Sequence, residues 1–500
     1  MRYKIIGSLV VLLAVIAAII VPVISKGTEH RIHQHMEAEK KEPCILENTN
    51  GEICTHLPLV IIDTDGLEIP GKQVTEKQED GTYVTYYTMA ENGDERISAT
   101  MQVIDGGGYN HAEDLAAVSS DITIRVRGRT SRAFEKSSYA LTLVNSDGTN
   151  NDQEIMGMDA HHDWVLYGPY LDKTDIRNYM FYNLSGEIMD YAPNVRYCEV
   201  ILNGEYHGLY VMTESITAGK DGARLPLQVD KKNQTYTGYL VRLDKNPERI
   251  VNASEGKIAD SFTGYTYRRG TNLEILYPGA SKLTDEMKRS ISQDFSDFEK
   301  ALYSYDYDSD DRGYEKYIDL DSFIDAFLIT EITCNYDFGA LSTYIYKGVD
   351  GKFRICMWDF NNSCDNFKHT VMTPQNFDVA EIVWYFMLVK DEDFTRRVIQ
   401  RYHMLREGLF ADEYLDNYID SVVAYLGPAI KRDRARWEST YATGHGLLGD
   451  EARDPATYED AVVQLKTFLK KRLLWLDKNI DAISQYSAES KVKKFNSNAN

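Results

Sequence analysis

The dipeptide Asn203-Gly204 constrains this chain more than any other feature, because it stands between two runs of strand-forming residues, Val195–Leu202 and Glu205–Met212. Asn and Gly both accept the positive φ that a two-residue turn between twisted strands demands, so the pair predicts an antiparallel hairpin. A second hairpin is predicted from Ser342–Lys347, a turn around Val349-Asp350-Gly351, and Lys352–Met357. Leu57–Asp63, Ile122–Arg127, Tyr139–Val144, Thr237–Leu243 and Leu273–Tyr277 read as further strands. Helical periodicity covers residues 284–303, 320–334, 379–408, 411–438 and 457–486. The expected fold class is α+β, with mixed or antiparallel sheets and a helical C-terminal subdomain.

The N-terminus carries Arg2 and Lys4 ahead of an apolar run, Ile5–Ile24. About 20 apolar residues span a bilayer, and no A-x-A cleavage pattern follows, so residues 1–25 are expected to be a single transmembrane helix or an uncleaved signal anchor. Residues 26–56 read as a polar spacer, 57–375 as an α+β domain, 376–487 as the helical subdomain and 488–500 as a disordered tail. The main domain is expected outside the cytoplasm, tethered to the cell membrane or displayed at a cell or spore surface. Lys and Arg number 55 against 77 Asp and Glu, which argues against nucleic acid as a partner. The six cysteines include no CxxC pair, so a zinc site has no support. Cys44 and Cys54 enclose a short polar loop and can pair after export, whereas Cys198, Cys334 and Cys356 sit in apolar contexts that suit buried thiols.

The segment from Phe323 to Asn366 brings two carboxylates together. A helix runs into Asn335-Tyr336-Asp337, a strand follows, and the returning strand ends in Met357-Trp358-Asp359. A two-residue Asp350-Gly351 loop sets Ser342 opposite Asp359, and a four-residue loop sets it opposite Met357. Either register puts Asp337 and Asp359 at the same end of the hairpin. Such a pair suits metal-assisted phosphoryl transfer, in which one Asp holds Mg²⁺ and the other accepts the substrate hydroxyl proton. The alternative is that both residues merely cap a turn and a loop.

Several blocks follow one another along the chain: Arg127-Gly128-Arg129-Thr130-Ser131-Arg132 with Phe134, Lys136 and Ser138-Tyr139; Asp163-Trp164-Val165-Leu166; Asp172-Lys173-Thr174-Asp175-Ile176-Arg177-Asn178; Leu202 to Tyr210 running on to Glu214; Gly238-Tyr239-Leu240 through Asp244; and Asn335-Tyr336-Asp337 with Trp358-Asp359. Taken in order, these blocks resemble the spore-coat CotH family of atypical protein kinases. The resemblance covers most of residues 57–440. It implies an atypical protein-kinase-like fold that uses ATP and Mg²⁺ or Mn²⁺ to phosphorylate exposed Ser or Thr of coat or cell-surface proteins. By the same resemblance Asp337 is the catalytic Asp and Asp359 the metal ligand. In the same resemblance Lys136 is the cation on the nucleotide phosphates, oriented by Glu214, while Arg127 and Arg132 are either further phosphate contacts or partners of the chain's many carboxylates.

Two positions depart from the family pattern. Ser342 stands where the family usually has Asn, and Asn361 where it has a second Asp. Both offer a neutral oxygen to a metal but less charge, with Asn362 and Asp365 nearby as substitutes. Gly106-Gly107-Gly108 is not a phosphate loop and reads as a flexible turn. Two other functions compete: a catalytically weak or inactive tethered scaffold of the same fold, and a carbohydrate-active enzyme with Asp337 and Asp359 as its acid/base pair.

Overall fold

The computed structural model describes residues 31–37, 53–220, 223–228, 237–245, 258–264, 271–349, 351–367, 370–380, 382–441 and 453–488. Residues 31–37 belong to a separate small unit with one helical turn, Gln34–Glu37; residues 39–500 form the second unit.

The strands of the second unit in chain order are β1 (Leu59–Asp63), β2 (Gln73–Lys77), β3 (Tyr83–Tyr87), β4 (Ile97–Ile104), β5 (Val118–Val126), β6 (Tyr139–Val144), β7 (Gln153–Ile155), β8 (Met158–His161), β9 (Asp163–Tyr167), β10 (Val195–Leu202) and β11 (Glu205–Glu214). Seven of them close into a barrel in the order β1-β10-β11-β9-β6-β5-β4. Only the β1–β10 contact is parallel. The barrel fills with alternate side chains from each strand, among them Val60, Ile62, Met101, Ile122, Ile124, Leu141, Leu143, Leu166, Cys198, Val200 and Met212. The Asn203-Gly204 turn joins β10 to β11 as the dipeptide requires, with φ of +52° and +79°. β2 and β3 form a separate two-stranded hairpin.

The remaining strands are β12 (Tyr239–Lys245), β13 (Asp260–Phe262), β14 (Thr271–Tyr277), β15 (Thr343–Lys347) and β16 (Arg354–Cys356). They make a second sheet in the order β13-β14-β12-β15-β16. The β15–β16 pairs are Tyr344↔Cys356, Ile345↔Ile355 and Tyr346↔Arg354, one residue away from each register that the turn arithmetic allowed. The connecting loop is longer than two residues, and Asp350 within it lies outside the described residues.

Seven helices of eight or more residues are described: α1 (Arg177–Ile188), α2 (Asp285–Leu302), α3 (Leu320–Thr333), α4 (Glu392–Arg406), α5 (Asp412–Leu426), α6 (Pro428–Arg436) and α7 (Tyr458–Asn479). The helix expected over 379–408 starts late because Asp391 caps α4, its carboxylate accepting from Asp393 N–H. The helix expected over 411–438 breaks at Gly427-Pro428, where Gly427 takes φ +44° and Pro opens α6.

Two expectations need correction. Where mixed or antiparallel sheets are expected, seven strands close into a barrel, since β1 pairs with both β4 and β10 and leaves no edge. The expected membrane-spanning helix has no support: no helix among the described residues is long and apolar enough to cross a bilayer. The longest of them, α7, has 22 residues but carries Lys466, Lys470, Lys471, Arg472, Asp477 and Lys478. Residues 1–25 lie outside the described residues, as does Cys44. Cys54 is disulfide-bonded, and Cys198, Cys334, Cys356 and Cys364 are free and buried.

Candidate active site

A cavity of about 950 Å³ lies between the β5, β6 and β9 side of the barrel and the second sheet. Asp337 and Asp359 both line it, together with Arg127, Ser342, Asn361, Asn362, Asp244 and Lys245. Asp337 sits just after α3, whose C-terminus is closed by Cys334 in the left-handed conformation. Asp359 follows β16 and itself takes φ +64°, one of five non-glycine residues with positive φ in the two loops (Cys334, Ser342, Asp359, Cys364, Asp365). Such conformations concentrate at functional sites, where the surrounding structure holds them.

Asp359 feels the charge of Asp337. Burial, the Asp337 charge and, more weakly, Asp244 push Asp359 up to about 7, against the opposing Arg127 guanidinium. Burial also raises Asp337, opposed by a hydrogen bond from Asn362 Nδ2 to its Oδ2 (2.9 Å) and by Lys245. A buried carboxylate raised by a second carboxylate beside it is an environment that suits a cation. The donor set fits a hard cation, because every candidate ligand is an oxygen. Asn361 Oδ1 is buried without a hydrogen-bond partner among the described residues, while its Nδ2 donates to Asn362 Oδ1 (3.2 Å). That orphan oxygen fits the role of the neutral donor that stands in for the family's second Asp.

The other expected site residues divide. Arg127 leaves the end of β5 and lays its guanidinium 5.4 Å from the Trp358 ring centre, beside Asp359. The turn after it needs Gly128 at φ +109°, where any side chain would strike Ser131 Oγ. Arg132 also borders the cavity, but its Nε donates to Gly128 O (2.7 Å) and its guanidinium covers the Tyr87 ring at 3.9 Å. Both of these contacts are structural. Ser342 lines the cavity with φ +47°. Asp365 turns away from the cavity and pairs with Arg453 (2.8 Å).

Lys136 is not brought to the cavity. Its Nζ lies 2.7 Å from Asp433 Oδ1, both side chains fully buried, outside the cavity lining. Glu214 does not orient it either, since Glu214 Oε2 accepts from Asn194 N–H (2.9 Å) and more weakly from Tyr191 O–H (3.4 Å). The expected Lys136–Glu214 pair is therefore replaced by Lys136–Asp433, because helix α6 packs against β11 and delivers a closer carboxylate.

Sequence reasoning missed Asp244, the last acidic residue of a quoted block. It lines the cavity and is held by Arg242 (3.3 Å) and Arg129 (3.5 Å). Its strand-end position resembles a solvated charge in the sequence, and only the β12–β15 pairing brings it to Asp337. Outside the cavity, His161, His162 and Asp163 cluster. Their ring nitrogens serve the protein itself: His161 Nδ1 accepts from Asp163 N–H (2.8 Å), and His162 Nδ1 meets Asp152 (2.6 Å).

The cavity thus gathers carboxylates, amide oxygens and arginines between a barrel and a second sheet. The family model described as CotH kinase protein matches residues 124–476. The chain belongs to the CotH kinase protein family. It is 22 % identical over 319 residues to the inner spore coat protein H of Bacillus subtilis (strain 168), covering 63 % of this chain and 78 % of the relative.

Proposed function

We propose that this protein is an ATP-dependent protein kinase that transfers the γ-phosphoryl group to Ser or Thr of a coat or cell-surface protein. One observation carries the reading: Asp337 and Asp359, which flank one hairpin, share one cavity with Arg127, and the Asp337 charge raises the proton affinity of Asp359. Mg²⁺ or Mn²⁺ would be held by Asp359, Asn361 Oδ1 and neighbouring oxygens, and supplies charge neutralisation on the phosphates. Asp337 takes the proton of the acceptor hydroxyl while that oxygen bonds to the γ-phosphorus. The bond from that phosphorus to the bridging oxygen breaks, and ADP leaves. A carboxylate raised above its ordinary range is a better base for this proton. Arg127 faces the developing negative charge from the barrel side. The coat or surface location is supported by the spore-coat relative.

A second reading has an observation of its own. Lys136 is committed to Asp433, and Asn361 replaces a carboxylate, which favours a weakly active or inactive scaffold of the same fold. The full chain incubated with γ-labelled ATP, Mn²⁺ or Mg²⁺ and a Ser/Thr-rich acceptor decides between them. Label on the acceptor, lost on chelation, supports the kinase. Neither label nor metal-dependent nucleotide binding supports the scaffold.

A further inference from the structure

The loop that carries Asp359 is gripped by one helix. Asn178 and Tyr182 stand one turn apart on α1 and accept hydrogen bonds from successive backbone N–H groups of that loop. Tyr182 Oη accepts from Asp359 N–H (3.0 Å), and Asn178 Oδ1 accepts from Phe360 N–H (2.7 Å). The Tyr182 ring packs against both neighbours of Asp359, with Trp358 at 5.4 Å and Phe360 at 5.6 Å between ring centres. Tyr182 is 2 % exposed, and it borders the cavity together with Asn178.

The helix is itself anchored at its start. Asp172 accepts from Arg177 N–H (2.8 Å) and Arg177 Nη1 (2.5 Å), and Arg177 Nε donates to Ser363 O (2.9 Å), four residues beyond Asp359. Three side chains of α1 thus fix the backbone at Asp359 N–H, Phe360 N–H and Ser363 O, and hold Asp359 at φ +64°. An aspartate in that conformation without such support would relax and turn its carboxylate elsewhere.

We propose that Tyr182, seconded by Asn178, is a positioning residue that aims the Asp359 carboxylate at a divalent cation. The proposal rests on the metal-binding reading of the cavity given above. Ligand orientation by a neighbouring hydrogen bond is a general requirement of metal sites, and losing it typically costs about 10–100-fold in affinity. Tyr182 touches no reacting atom here. Its hydroxyl oxygen is the functional group, and its ring is the packing.

The test separates these parts. Tyr182→Phe keeps the ring and removes the oxygen. Mn²⁺ binding to the full chain is measured by the electron spin resonance of free Mn²⁺, without nucleotide or activity, alongside the thermal midpoint. Tyr182→Phe is expected to weaken Mn²⁺ about tenfold while the midpoint stays within a few degrees. Asn178→Ala is expected to weaken it in the same direction, which keeps the test decisive if Tyr182→Phe folds poorly. Asp359→Ala is the reference. If Asp359→Ala loses Mn²⁺ and both α1 variants bind as the parent does, the positioning role is overturned and the metal reading stands. If Asp359→Ala binds Mn²⁺ unchanged, the metal reading fails and the proposal falls with it.

Discussion

Lys136 and Asp433, 297 positions apart, meet in a fully buried ion pair of 2.7 Å. Asp433 also accepts from Leu209 N–H (2.8 Å) and Tyr441 O–H (2.9 Å), so one carboxylate of α6 ties the helix to β11 and to the turn before β6. Removing one member of such a pair leaves a buried charge alone, at a cost of about 3–5 kcal/mol. Lys136→Met is therefore expected to lower the urea midpoint sharply, while the folded fraction keeps its nucleotide affinity within about twofold. A folded Lys136→Met protein that no longer binds nucleotide would return Lys136 to the phosphates.

Asp359 and Asp337 should separate by function. Asp359→Ala is expected to abolish metal-dependent nucleotide binding in calorimetry. Asp337→Ala is expected to bind normally and lose phosphoryl transfer by about 10²–10⁴-fold. Equal transfer by both variants would refute the assignment.

Asn361 is where this chain supplies less charge than its family pattern. With its Oδ1 buried and unpartnered, replacing the amide by a carboxylate needs no new space. Asn361→Asp is expected to tighten Mn²⁺ binding by about tenfold or more, read by direct titration at pH 8, because each added carboxylate strengthens a hard-cation site. Unchanged affinity would remove Asn361 from the ligand set.

Asp175 gives the fold a pH dependence that does not involve the cavity. Its carboxylate is fully buried with φ +58°, and neither oxygen has a hydrogen-bond donor among the described residues. Burial pushes it up to about 7, opposed by Arg434 and Lys136 and aided by Asp433 and Asp172. A carboxyl raised in the folded state binds more protons folded than unfolded, so its contribution is fully present at low pH and is lost as pH rises through about 7. Asp175→Asn is expected to flatten the fall in stability between about pH 4 and 7, measured by urea unfolding across that range. An Asp175→Asn protein whose stability changes with pH as the parent's does through that window would contradict the assignment.

Much of the local structure was legible because it is dictated locally. Asn203-Gly204 supports positive φ at both turn positions, and β10 and β11 flank it as expected. The helices at 285–302 and 320–333 follow from their apolar spacing and from Thr284 and Asp319 as N-caps. The approach of Asp337 to Asp359 was also legible, since both flank one hairpin. The β15–β16 register was not, because loop length rather than strand pattern sets it.

What the sequence determined alone is the inventory: an α+β chain of the CotH kinase type, two hairpins, and two acidic residues delivered to one end of the second hairpin. Tertiary structure decided which charges face each other. Lys136 had several carboxylates to choose from, and the packing of α6 on β11 selected Asp433 over Glu214. Asp244 entered the cavity, and Tyr182 reached Asp359 N–H, only through contacts between distant segments. The physical reason is that turn and helix preferences are short-range and written residue by residue. Charge pairing and metal-ligand geometry depend instead on distances that exist only once the barrel has closed against the second sheet.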